Sequence, residues 1–232
     1  MRLMTYPGFG KEFVALSAES KAELPPDEGA RELFRRFEVE LEGFGLSLAD
    51  TVRTRLWGRD REARDKGSGE RVKILSGPAR SASSSYICPS HFDSGGTVAI
   101  DLWAMRGAGA KRVREYEPPI VPPRYVVLDG VVFLSGVTSE VGSLSQQLGS
   151  ILPRIEGSLS DSGVSWDKVV RISCFLHRSE KLQDLREGML RVLGTKVGKL
   201  LGGEASADVE YGFVDGYSTP GKLVEIETTA VL

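Results

Sequence analysis

Phe13-Val14-Ala15-Leu16-Ser17-Ala18 and Val131-Val132-Phe133-Leu134-Ser135-Gly136 are one apolar stretch written twice, 118 residues apart. Each is a short β-rich run that closes on a serine and a small residue. The same shift lays Leu41-Glu42-Gly43-Phe44-Gly45-Leu46-Ser47 over Leu159-Ser160-Asp161-Ser162-Gly163-Val164-Ser165, and Thr51-Val52-Arg53 over Val169-Val170-Arg171. Near the end of each copy the shift becomes 126, where Thr97-Val98-Ala99-Ile100-Asp101-Leu102-Trp103-Ala104 meets Leu223-Val224-Glu225-Ile226-Glu227-Thr228-Thr229-Ala230. The second copy therefore carries eight more residues between these blocks. A self-match at a near-constant offset means that one small fold was duplicated. The predicted division is a first copy over 1–106, a linker over 107–119 and a second copy over 120–232.

Working outward, each copy shows the same order of elements. Lys11 to Ser17 and Tyr125 to Ser135 read as strands, the latter broken by Asp129-Gly130, a hairpin signal. Helical stripes follow at 3.6-residue spacing: Leu33, Phe34, Phe37 and Leu41 in the first copy, and Leu144, Leu148, Ile151, Leu152, Ile155 and Leu159 in the second. These faces are read as packing surfaces against a sheet. A Gly-x-Ser turn comes next in each copy, Gly45 to Ser47 and Gly163 to Ser165, its glycine suited to a left-handed helix end and its serine to starting a new turn. Strands are then expected over 52–57 and 169–176. From Glu180 to Leu201 the second copy predicts a further helix. The corresponding stretch of the first, Arg59 to Lys73, is charged, Gly-rich and almost without an apolar stripe, which predicts a second helix much reduced there. Two strands close each copy.

Composition excludes several roles. With 232 residues, 41% hydrophobic and 27% charged, the chain can bury a core without staples. Thirty basic against 32 acidic residues leave a charge of −2, which gives no support for nucleic-acid binding. The N-terminus lacks an apolar signal core and no apolar run approaches the ~20 residues of a membrane span, so a cytoplasmic protein with no membrane partner is expected. Cys88 and Cys174 form no C-x-x-C pair, and His91 and His177 are scattered, so no metal is expected. Cys174, within an apolar run, reads as a small buried hydrophobe.

Phe133-Leu134-Ser135-Gly136, Gly163-Val164-Ser165 with Val169-Val170-Arg171, Gly77-Pro78-Ala79-Arg80-Ser81-Ala82, and Leu223 to Ala230, in this order and spacing, resemble the RidA family, also called YjgF or L-PSP. The resemblance implies an α+β fold of two tandem chorismate-mutase-like (RidA-type) domains, mixed sheets with helices on one face. It further implies ligand pockets in clefts between domains, a homo-oligomer, most simply a homotrimer, and no metal or organic cofactor. Active members of that family hydrolyse reactive enamines and imines of amino acids to ammonia and a 2-keto acid.

Such a ligand keeps its carboxylate, which a planar, permanently charged arginine can grip with two parallel hydrogen bonds. The family's anchoring arginine falls on Arg80; its counterpart in the second copy is Ser206, so a single kind of anchor survives. The family's water-holding glutamate matches Glu225, whereas the first copy has Ala99 there. Asp101 lies two residues on, on the same strand face as Ala99, and is a partial substitute. The family's frequent cysteine two residues after the arginine is replaced by Ala82 and Asp208. Ser84, Tyr86 and Tyr125 are candidate ligand contacts, and the Ser135-Gly136 loop matches the family's pocket-lining pair. Each has a plain reading as well: Arg80 as an exposed charge on a turn, Glu225 and Glu227 as the polar positions of a half-exposed strand.

Three functions follow: an enamine or imine deaminase (a hydrolase), a binding protein for a small 2-imino or 2-keto carboxylate that has lost catalysis, or a hydrolase or lyase of the chorismatase type. The split of Arg80 and Glu225 between the copies favours the second. The family's older label of endoribonuclease finds no base, acid and cationic track here.

Overall fold

The computed structural model describes residues 1–194 and 207–232. By its internal contacts the chain divides into two compact units, Met1–Asp129 and Gly130–Leu232.

In the first unit, β1 (Arg2–Gly8) and β2 (Lys11–Glu19) form an antiparallel hairpin. Phe9 and Gly10 both turn through positive φ, 53° and 74°, the geometry of the tight turn that matches strand twist. Next come α1 (Pro26–Glu42), β3 (Thr51–Gly58), α2 (Arg61–Ile74), β4 (Ala82–Ile87) and β5 (Val98–Met105). The sheet order is β1-β2-β5-β3-β4, antiparallel except for the parallel pair β3–β4 that the α2 crossover makes necessary. The predicted stripe of α1 is buried throughout, Leu33, Phe34, Phe37 and Leu41 being at most 1% exposed. Each such side chain contributes about 1.5–3 kcal/mol on leaving water. They pack with Leu16, Leu56, Ile100 and Leu102 of the sheet.

Two expectations need correction. The second helix of the first copy is not reduced: α2 is a 14-residue helix. Its buried face consists of Ala63, Gly67, Glu70 and Arg71, so no apolar stripe marks it. Gly67 sits so close to the sheet that a Cβ there would lie 3.2 Å from Leu56 and Val98. Small residues thus bring the helix onto the sheet, and charge closes its outer edge, Glu70 accepting from Arg31 of α1 at 3.2 Å. Its start is capped by Asp60, whose side chain accepts from Ala63 N at 2.8 Å. Second, the stretch expected to be a linker is partly a strand. β6 (Arg112–Arg114) pairs antiparallel with β7 (Tyr125–Leu128). Alternating charge hides it in the sequence.

β7 leads through Asp129 and Gly130, both at positive φ as the hairpin signal requires, into β8 (Val131–Thr138). In the second unit α3 (Leu144–Ser162), β9 (Val169–His177), α4 (Leu182–Leu193), β10 (Asp208–Val214) and β11 (Val224–Val231) follow. Its strands run β10-β9-β11-β8, with β9 and β10 parallel, which reproduces the order β4-β3-β5-β2 of the first unit. Gly163 ends α3 in the left-handed conformation, φ 88°, as its place in the Gly-x-Ser turn predicts. All six stripe residues of α3 are buried. The predicted helix over 180–201 is seen as α4; Val197, Leu200 and Leu201 lie outside the described residues. Among the described residues no helix is long and apolar enough to cross a membrane.

Candidate functional site

In the first unit, α2 ends at Ile74, and a 3-10 turn over Gly77–Ala79 brings the chain back to β4. Gly77 takes φ 54°, and Arg80 closes the turn by donating its N–H to Gly77 O at 3.1 Å. Arg80 is thereby held at the mouth of the β3–β4 crossover. Its guanidinium already grips a carboxylate. Nε and Nη2 donate to the two oxygens of Glu115, the second at 2.7 Å, and Nη2 donates also to Ile120 O at 3.1 Å. This is the planar two-pronged contact for which arginine is suited. The pair is only partly covered, 21% of the Arg80 side chain and 33% of the Glu115 side chain being exposed.

Beside Arg80 lies a cavity of about 10 Å³, room for about one water, walled by Thr54, Arg71, Ser81, Ser83, Val121 and Pro123. Arg71 is buried, donating from Nη1 to Ser84 O at 2.5 Å and from Nη2 to Ser68 Oγ at 3.2 Å. Thr54 is fully buried, and its Oγ1 has no hydrogen-bond partner among the described residues. A hydroxyl so placed costs free energy until something pairs with it.

The other candidates of this unit have different surroundings. Asp101, on β5, accepts from Trp57 Nε1 at 2.7 Å. Tyr86 is fully buried, its ring centroid 5.0 Å from that of Trp57. Ser84 is buried on β4, in register with Arg55. Tyr125 is buried opposite Arg114, at the root of the segment that carries Glu115.

The second unit holds Ser135, Gly136 and Glu225. The register between β8 and β11 slips here, Ile226 facing Val137 while Thr228 faces Leu134, so Ser135 and Gly136 occupy the irregularity opposite Glu227. Glu225 is 6% exposed and lies across Gly136: a Cβ at Gly136 would come within 1.8 Å of Glu225 Oε1. Glu225 and Glu227 are thus buried polar groups, not the rim of a half-exposed strand. Tyr217, which sequence reasoning did not single out, donates to Phe175 O at 2.8 Å. Burial, and then the charge of Glu225, hold its hydroxyl well above the usual range for tyrosine. Glu115, Thr54, Arg71 and Tyr217 carry no sequence signal, because each owes its place to a contact distant along the chain. Ser206 lies outside the described residues.

Cys174 is confirmed as a buried hydrophobe, its thiol pushed up to about 12 by burial and by the charges of Glu210 and Glu227. Among the described residues no group of three or more His, Cys, Asp or Glu side chains is placed to hold a metal ion.

No family model matches the chain, and no curated protein does. Solved structures do. A YjgF/YER057c/UK114 family member from Mycobacterium tuberculosis aligns over 53% of this chain and 100% of its own, at 21% identity and a TM-score of 0.44. The Rid-family protein YyfA from Yersinia pestis gives the same coverage, identity and score. A chorismatase aligns over 98% of this chain and 79% of its own, with 17% identity and a TM-score of 0.63. The chorismatase match, over nearly the whole chain, shows the fold: an α+β fold of two units with the same strand order. At these identities the likeness concerns the fold alone, and what the chain does has to come from its own side chains.

Proposed function

We propose that this RidA-like protein binds a small carboxylate metabolite of the 2-keto or 2-imino acid type at Arg80. One observation carries the reading: Arg80 already holds a carboxylate through two nitrogens while one of them also reaches a carbonyl oxygen. A 2-keto acid offers the same set of acceptors, a carboxylate with a carbonyl oxygen beside it.

Binding is favoured over catalysis because the anchoring arginine and the water-holding glutamate that the resemblance implies are split between the two copies, Arg80 in the first and Glu225 in the second. Asp101 is engaged by the Trp57 indole, and Glu225 belongs to the second unit. Homo-oligomerisation, as a trimer, and a cytoplasmic setting are part of the proposal; sedimentation giving a monomer at micromolar concentration argues against the first.

Calorimetry with pyruvate, 2-oxobutyrate and benzoate on wild type, Arg80→Ala and Arg80→Lys tests the reading. Truncating a charge-assisted two-pronged contact removes on the order of 2–4 kcal/mol, so Arg80→Ala weakens binding about 30-fold or more. Lysine restores only part, since a point charge cannot reproduce the fork. Equal affinities in all three proteins refute it. Ammonia release from freshly generated 2-aminoacrylate, or turnover of chorismate, replaces the binding reading with one of its two catalytic alternatives.

A further inference from the structure

The carboxylate on Arg80 comes from the protein itself. Glu115 and Ile120 contact the guanidinium, and Val121 and Pro123 wall the pocket beside it. All four lie in one loop, 115–124, that leaves β6 at Arg114 and returns to β7 at Tyr125. Arg114 pairs with Tyr125, and Arg124 N donates to Arg114 O at 2.8 Å, so the root of the loop is fixed to the ladder while its body lies on Arg80. Pro118, Pro119, Pro122 and Pro123 give the loop four residues without an N–H. It can therefore leave Arg80 without unzipping any β pairing. The pair keeps an open side, 21% of the Arg80 side chain and 33% of the Glu115 side chain being exposed, so a solute can reach it.

We propose that the loop 115–124 is a built-in competitor for the Arg80 site, with Glu115 in the position of the ligand carboxylate. Resting on the binding function assigned to Arg80, it adds that ligand enters by exchanging one carboxylate for another. Arg80 stays neutralised in both states, so its charge is never left bare in the pocket. The apparent affinity is lower than the intrinsic one by the fraction of molecules whose loop is withdrawn. A small carboxylate that fills the pocket also displaces Val121 and Pro123, so occupancy is read out as a loop released into solvent. The fold thus converts metabolite binding into exposure of a proline-rich segment.

Pyruvate binding to the full chain is measured by calorimetry for wild type, Glu115→Ala, Glu115→Gln and Arg80→Ala, with urea unfolding confirming that each variant is folded. Backbone hydrogen exchange at Tyr116, Glu117, Ile120 and Val121 is followed with and without saturating pyruvate. The expected result is that Glu115→Ala binds about tenfold tighter or more, that Glu115→Gln falls between it and wild type, and that Arg80→Ala loses binding. Pyruvate should also speed exchange in the wild-type loop. Unchanged or weaker binding by both Glu115 variants, with Arg80→Ala still deleterious, overturns the competitor while leaving the Arg80 site standing. Indifference of pyruvate affinity to Arg80→Ala overturns the site itself. Ligand binding with no change of exchange in the loop also overturns the competitor.

Discussion

Replacing Gly136 by alanine places a methyl group where Glu225 lies: the added Cβ would meet Oε1 at 1.8 Å, Cδ at 2.6 Å and Cγ at 2.8 Å. The φ of Gly136 is not in the left-handed region, so the backbone accepts alanine and the whole effect is steric. Glu225 must abandon its rotamer inside a sheet where it is 6% exposed. Leaving a rotamer well costs about 0.5–1.5 kcal/mol, and overpacking a filled interior about 1–3 kcal/mol in total. Gly136→Ala should therefore destabilise the protein by about 1–3 kcal/mol, read as a lower urea midpoint at unchanged slope. The assignment to Glu225 is checked by a double-mutant cycle. In a Glu225→Ala background the obstructing atoms are gone, and adding Gly136→Ala should then cost less than about 0.5 kcal/mol. An undiminished cost in that background would mean that Glu225 does not lie over the Ser135-Gly136 loop, and the geometry of the second unit would have to be redrawn.

Gly58→Ala should be more damaging, because its Cβ would fall 2.4 Å from Arg64 N and 2.6 Å from Arg64 Cα, backbone atoms of α2 that cannot step aside. A loss of about 3 kcal/mol or more is expected by thermal unfolding. Gly69→Ala, in the same helix with nothing within 4 Å of the new Cβ, should instead stabilise by roughly 0.5–1 kcal/mol. Glu70 carries a pH signature: the hydrogen bond from Arg31, reinforced by Lys73, holds its carboxyl below the ordinary value of 4.5. A depressed folded-state value stabilises at pH above 4.5 and fades as the pH falls through that lower value. The stability advantage of wild type over Glu70→Gln should thus be present at neutral pH and shrink as the pH is lowered below 4.5, by urea unfolding across that range.

Much of this architecture was legible in the sequence because it rests on local rules. Apolar residues at 3.6 spacing in α1 and α3 have no stable place except against a sheet, and Asp129-Gly130 has few alternatives to a hairpin turn. The repeat at offsets of 118 and 126 announced the duplication without any coordinates. The helix α2 escaped notice because hydrophobicity is a poor guide where close approach is made by Ala63 and Gly67 and the edge is closed by a charge pair. The strand β6 escaped because three alternating residues hold too little pattern. The resemblance makes Arg80 the anchor of a ligand carboxylate, whereas in the structure its guanidinium grips a carboxylate of the protein itself. That the carboxylate is Glu115, 35 positions away, no spacing rule supplies. Likewise only folding sets Glu225 across Gly136. Periodicity and turn chemistry act between near neighbours and fix elements. Partners of charged and polar groups are chosen among residues brought close by packing, so tertiary structure alone decides them.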